Sequence, residues 1–238
     1  MAATLVSRFM KAAIVTVGDE LLTGDTADSN ATWLAGRLDE RGVAVERITT
    51  VPDRVADIAR VVNEFRAEYD AVIVTGGIGP THDDVTMEGV AAAFGRRLTR
   101  NEEALDWLLE HGGYAAGDLT DGTTKLPEGA RPLNNEVGVA PGCVLESVYV
   151  FPGVPAEMEA MFEGVASEFS GRVTYTATVE AAEPESTLID RLAAVREEFE
   201  VSVGSYPGEH VRVKLTAGDE GEAERAAAWL RERVEPAE

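Results

Sequence analysis

AVIVTGGIGPTHDDVT, residues 71–86, is the stretch on which the fold turns. Residues 71–75 are almost continuously apolar, the pattern of a strand covered on both faces. Gly76, Gly77 and Gly79 then break the strand, and Met87, Val90, Ala91 and Phe94 follow at helical spacing. A glycine turn between a buried strand and a helix lets backbone N–H groups face an anion with no side chain in the way. The helix N-terminus beyond it adds partial positive charge. The spacing is not the GxGxxG dinucleotide fingerprint, and no Gly-Lys-Ser/Thr of a P-loop follows.

Working upstream, residues 12–17 (AAIVTV) read as a second buried strand. A helix over 29–41 carries Ala31, Leu34, Ala35 and Leu38 on one side and ends at Gly42, where a left-handed cap fits. A strand over 43–51 precedes a helix marked by Val55, Ile58, Val62 and Phe65. This βαβαβα order predicts a parallel sheet with right-handed crossovers. Residues 112–153 are rich in glycine and proline, with one strand at 148–151, and a helix over 155–169 closes the unit. Strand 173–179, helix 187–199, strands 201–205 and 211–216 and helix 222–234 then form a small βαββα, α+β domain. The expectation is an α/β domain over 10–171 followed by the small domain over 172–238.

Ligands of open parallel sheets bind beyond the strands' carboxyl ends. There the first strand delivers Gly18-Asp19-Glu20, the second Pro52-Asp53, and the third the glycine loop with Thr81, Asp83 and Asp84. Carboxylates repel phosphate unless a divalent cation sits between them, and magnesium is typically held by one or two carboxylates plus phosphate oxygens. Taken singly, Thr81, Asp83 and Asp84 equally suit helix capping, worth about 1 kcal/mol, and Asp19 and Asp53 suit helix starts. Their shared edge favours a site.

Charge separates this chain from nucleic-acid and membrane binders. Forty-three acidic residues face 21 basic ones, a net charge of -22, and Lys11, Lys125 and Lys214 are the only lysines. Such a surface repels polyanions and suits a salt-rich cytoplasm. The lone Cys143 excludes an internal disulfide and a multi-cysteine zinc site. No apolar run approaches the roughly 20 residues of a membrane span, and residues 1–9 make no secretory signal. A cytoplasmic protein with a dispensable first nine residues is expected.

Several motifs resemble one family. GDELLTG (18–24) with Asp28-Ser29-Asn30 resembles the opening of CinA-type proteins, and TGGIGPTHDDVT (75–86) their TGG-GP-DD-T signature. NEVGVAPG (135–142), FPGVPAEM (151–158) and GSYP (204–207) resemble three further motifs in the same order. The resemblance implies a three-layer molybdopterin-binding fold of the MoaB/Mog type. It also implies metal-dependent pyrophosphatase activity on ADP-ribose or a similar dinucleotide. By position, Gly76, Gly77, Gly79 and Thr81 would hold phosphate, and Asn30 and Gly153 would line the pocket. Asp84 and Asp53 would be catalytic, with Asp84, Asp83, Asp53 and Asp19 around magnesium, manganese or cobalt. A small nucleotide or pterin ligand and a homo-oligomer are expected.

Adenylyl transfer to molybdopterin is the alternative, although Gly-Asp-Glu differs from the Ser-Asp usual at that position in dedicated adenylyltransferases. A non-catalytic nucleotide-binding module is the third. The C-terminal amidohydrolase domain of full CinA proteins is expected to be absent. His82 reads as a solvent-facing loop residue in preference to a catalytic base, Cys143 as a packed thiol, Trp229 as core of the last helix, and Tyr206 as a packing residue that could alternatively stack on a base.

Mutual repulsion among these carboxylates weakens as salt shortens the Debye length to about 3 Å at 1 M. The melting temperature should therefore climb steeply from low salt to molar potassium chloride. A flat or falling curve in a thermal-shift series contradicts the salt-adaptation reading.

Overall fold

The structure is a computed structural model that describes residues 10–79, 81, 83–112, 119, 122–171 and 174–237. Residues 1–9 and His82, for which expectations are stated above, lie outside the described residues. The chain divides into two compact units, Met1–Gly171 and Arg172–Glu238.

The first unit opens with β1 (Lys11–Val17), the short α1 (Asp19–Thr23), α2 (Ser29–Asp39), β2 (Ala44–Val51), α3 (Val55–Glu68) and β3 (Ala71–Gly76). It continues with α4 (Thr86–Ala93), β4 (Leu98–Arg100), α5 (Glu102–His111), β5 (Lys125–Pro127) and β6 (Arg131–Leu133). It ends with β7 (Gly142–Leu145), β8 (Val148–Pro152) and α6 (Pro155–Val165). Six strands form one sheet in the order β2-β1-β3-β8-β7-β6. The β1–β2, β1–β3 and β3–β8 pairs are parallel. The strands of the βαβαβα segment are parallel as expected, and β7, antiparallel to β8, and β6, antiparallel to β7, extend them into a mixed, mostly parallel sheet.

Alternation along β1 and β3 builds the layers. Ala13, Val15, Val72 and Val74 face α3 and α4, packing with Ile58, Val62, Phe65 and Val90. Ala12, Ile14, Ala71 and Ile73 face α2 and α6, packing with Leu34, Leu38, Met158 and Phe162. Phe162 is fully buried, edge-on to Trp33 at 5.5 Å and stacked on Phe169 at 5.3 Å. A strand with apolar side chains on both faces can be covered only by helices on both, which gives three layers.

Local chemistry sets the ends. α2 stops two residues earlier than expected, and Gly42, at φ 72°, takes the left-handed position. Gly42 N–H donates to Asp39 O (2.9 Å) and Val43 N–H to Leu38 O (2.9 Å), the paired bonds of a Schellman cap. α5 was not anticipated; it starts where the Asn101 side chain accepts from Ala104 N–H at 2.9 Å. Cys143 is fully buried against the Met87 sulfur, and burial pushes its thiol up to about 12.

The second unit runs β9 (Tyr175–Ala181), α7 (Glu185–Glu198), β10 (Ser202–Tyr206), β11 (Val211–Ala217) and α8 (Glu220–Arg231). Its antiparallel sheet has the order β10-β11-β9. Val179, Val213 and Leu215 pack against Leu188, Val195 and Leu230 of the helices. Glu183 fastens the chain's end. Its carboxylate accepts from Arg191 (2.7 and 2.5 Å), from the Thr187 hydroxyl (2.8 Å) and from Glu235 N–H (3.1 Å).

Those donors, Arg191 foremost and Thr187 next, hold the Glu183 carboxyl at about 2, below its ordinary 4.5. A depressed carboxyl stabilises the fold above its unfolded value and loses that contribution as pH falls from 4.5 toward 2. Glu183→Gln should lower the melting temperature at pH 7 and show a smaller further loss than wild type between pH 7 and 3. Equal losses in both proteins, followed by circular dichroism, contradict this role.

Candidate functional site

The parallel strands end on one edge: Val17 pairs with Val51, and Gly76 with Pro152. Beyond that edge lies a cleft of ≈ 710 Å³. Gly76, Gly77 and Gly79 line it, with Asp53, Asp83, Asp84 and Gly153.

Asp84 is built into the glycine loop. A Cβ on Gly77 would fall 2.1 Å from Asp84 Oδ1, and one on Gly79 would fall 2.7 Å from Asp84 Oδ2. The carboxylate thus fills the space that the two glycines leave empty. Thr81 donates to Asp84 Oδ2 through its N–H (3.3 Å) and through its hydroxyl. Asp84 N–H returns a bond to Thr81 O at 3.2 Å. α4 itself starts at Thr86 with no side-chain cap, so none of Thr81, Asp83 and Asp84 caps it. Thr81 serves as a fastener of the loop and is not among the cleft-lining residues.

Asp53 lines the cleft while its Oδ2 accepts Asp19 N–H at 2.8 Å. Asp19 therefore contributes its backbone, and its exposed side chain is not part of the cleft wall. Asn30 ties α2 to two strand ends. Its Nδ2 donates to Gly153 O (2.8 Å) and Thr75 Oγ1 (3.2 Å), and Thr75 in turn donates to Pro152 O (2.7 Å). Asn30 borders a smaller hollow of ≈ 100 Å³ that shares Gly76 and Gly153 with the cleft. Its Oδ1 is buried there without a partner.

The sequence reading missed one wall. Gly138, Val139, Ala140, Val154 and Glu157 line it, and Glu20 adds a further carboxylate. Asn135, 3% exposed, is the hub. Its Nδ2 donates to Ala140 O (3.0 Å) and Glu157 Oε2 (2.7 Å), while its Oδ1 accepts from Val137 N–H (3.3 Å) and Gly138 N–H (2.7 Å). All four hydrogen-bonding positions of the amide are used. A Cβ on Gly138 would fall 2.3 Å from the Glu157 carboxylate, so glycine is required for that approach. The signal was present in NEVGVAPG and FPGVPAEM, whose residues had been given no roles apart from Gly153.

Glu20, Asp53, Asp83, Asp84 and Glu157 thus share a cleft with no lysine or arginine among its described lining residues. Among the described residues, no group of three or more His, Cys, Asp or Glu side chains could hold a metal ion. That donor set is too sparse for a preformed metal cage. Ile78, Leu119, Val139 and Val154 supply apolar lining in the same space.

Residues 13–171 match the family described as "Probable molybdopterin binding domain". The chain belongs to that molybdopterin-binding-domain family. Residues 173–238 match a second family, "FAD synthase, middle domain". A protein of Thermococcus kodakarensis is 41% identical over 244 residues, covering 94% of this chain and 97% of its own. A CinA-like protein of Citrifermentans bemidjiense is 36% identical over 94% of this chain, which spans 58% of that relative. The crystal structure of the protein CinA from Thermoplasma acidophilum, whose function is described as unknown, is 36% identical. It has a TM-score of 0.62 and covers 68% of this chain and 98% of its own. CinA-like membership is thus shared by sequence and fold. No helix among the described residues is long and apolar enough to cross a membrane.

Proposed function

We propose that the first unit hydrolyses a phosphoanhydride in ADP-ribose or a similar dinucleotide, water attacking one phosphorus while the bridging oxygen leaves with the other phosphate, with a divalent cation bound together with the substrate. The observation that carries this reading is the joining of Asp84 to the glycine loop in a cleft rich in carboxylates and without lysine or arginine among its described lining residues. Backbone N–H groups are the chain's own means of holding phosphate there. They leave most of the substrate's charge unmatched. Magnesium, manganese or cobalt held by one or two of the carboxylates Asp84, Asp53 and Asp83, with substrate oxygens as its other ligands, would neutralise phosphate oxygens as charge develops on them.

The residues have distinct tasks. Gly76, Gly77 and Gly79 let the backbone approach one phosphate, and Thr81 keeps the Asp84 carboxylate seated beneath the loop. Asn30 fixes the ends of β3 and β8 that frame the loop. Asp53 holds the start of α1 through one oxygen. The apolar residues Ile78, Val139 and Val154 offer a surface for a base. Glu157 is pre-oriented by Asn135 to accept a hydrogen bond from the sugar.

The family match favours a second reading, adenylyl transfer to molybdopterin in the same cleft. Both readings place phosphate on the glycine loop and need Asp84.

Asp84→Asn retains an oxygen that can accept from Thr81, so the loop's fastening survives the loss of charge. Turnover of ADP-ribose with magnesium should nevertheless fall by at least about 10²-fold, the scale for losing a main electrostatic element. Asp53→Asn should act on the same cation, and the double variant should lose less than the two single losses combined. Full turnover in Asp84→Asn with an unchanged metal titration would falsify the assignment. Turnover of molybdopterin with ATP in place of ADP-ribose would select the second reading.

A further inference from the structure

The second unit has its own surface of distinct chemistry, independent of the cleft. Its three-stranded sheet buries one face under α7 and α8, and alternation puts the other face outward. On that outer face Tyr206 of β10 pairs directly with Arg212 of β11, and Gly204 pairs with Lys214. Tyr206 is 47% exposed, and Arg212 and Lys214 are exposed.

The GSYP stretch shapes this face. A Cβ on Gly204 would fall 3.0–3.3 Å from ring atoms of Tyr206, so the ring lies across the glycine. The Arg212 guanidinium sits 5.5 Å from the ring centroid. Among the described residues, Arg212, Lys214 and Arg196 enter no ion pair, whereas Arg191, Arg225, Arg231 and Arg233 of the same unit do; Arg196 instead donates to Val203 O. In a chain of net charge -22, Arg212 and Lys214 place two cations without an ion pair among the described residues side by side on one strand face. Glu180 and Thr178, the β9 partners of Arg212 and Lys214, complete the outward row.

We infer that this face of the second unit binds a small phosphorylated ligand with a planar ring, of the mononucleotide type. An aromatic face accepts any planar base by stacking, and arginine adds cation–π attraction. Arg212 and Lys214 suit one phosphate group, the guanidinium through two parallel bonds and the ammonium as a point charge. The surrounding charge disfavours a polyanion, because every further phosphate would lie over acidic surface. Glu180 beside Arg212 works in the same direction and can accept from a ligand amino or hydroxyl group.

The test is calorimetric titration of the full-length chain with AMP, in low salt and EDTA. Saturable binding is expected for wild type. Arg212→Gln/Lys214→Gln should weaken it by about tenfold or more, the scale expected for losing charge-assisted contacts to a phosphate. Tyr206→Leu, which keeps an apolar strand residue, should weaken AMP binding several-fold while leaving the weaker binding of inorganic phosphate unchanged. Arg97→Gln/Arg100→Gln removes the same charge from the first unit and should leave AMP binding within about twofold of wild type. Circular dichroism melting confirms that each variant is folded.

The inference is overturned if wild type shows no AMP binding at millimolar concentration, or if the Arg212/Lys214 variant binds as wild type does. Equal weakening by Arg97/Arg100 reduces the effect to net charge and also overturns it. A single-stranded oligonucleotide binding more tightly than AMP, with a steep salt dependence, would make the occupant a nucleic acid and overturn it as well.

Discussion

The carboxylate of Asp84 occupies the space that side chains at Gly77 and Gly79 would need, and much else in the first unit serves that arrangement. β3 must be buried on both faces to bring the loop to the sheet edge at a fixed height. Thr81 must turn back to hold Asp84 Oδ2. Asn30 and Thr75 must tie the neighbouring strand end at Pro152 and Gly153, or the loop's frame could drift. An alanine at position 77 would meet a carboxylate with little freedom to move, because Asp84 is short and fastened at its tip. Sequence, packing and site chemistry meet in this one contact.

Charge supplies the second constraint. Glu20, Asp53, Asp83, Asp84 and Glu157 in one cleft would repel each other and any phosphate, and the described lining contributes no cationic side chain. Under the proposed function, a substrate anion and a cation arrive as mutually dependent partners. The sparse donor set fits that dependence, since magnesium tolerates few protein ligands when phosphates supply the rest. Asn135 holds a further part of the cleft lining without positive charge: its four bonds fix both the 137–140 backbone and the Glu157 carboxylate.

What the sequence revealed follows from how strongly each signal is encoded locally. β1, β3, α2 and α3 were legible because their apolar patterns run long enough to show a period, and Gly42 because a left-handed cap selects glycine. β6 and β7 were hidden, being three and four residues long in a segment full of glycine and proline, too short for a period to emerge. Their antiparallel pairing adds a mixed edge to the parallel strands that the βαβαβα order predicts. At the site, Gly76, Gly77, Gly79, Asp53, Asp83 and Asp84 could be placed together because strand ends of one sheet share an edge. Thr81 and Asp19 could not be separated from lining residues, since whether a side chain or its backbone faces the cleft depends on tertiary bonds. Glu157 and Asn135 come from distant positions, and only the fold brings them to that wall.

Mutual dependence of cation and nucleotide is the claim most directly open to measurement. Binding of Mn²⁺ can be followed by electron paramagnetic resonance with and without ADP-ribose, after subtracting the Mn²⁺ that the nucleotide binds alone. Linkage requires that each ligand raise the other's affinity by the same factor. The account predicts weak Mn²⁺ binding to the protein alone and binding at least about tenfold tighter with nucleotide, a gain that Asp84→Asn abolishes. Mn²⁺ bound with equal affinity in the presence and absence of ADP-ribose would contradict it.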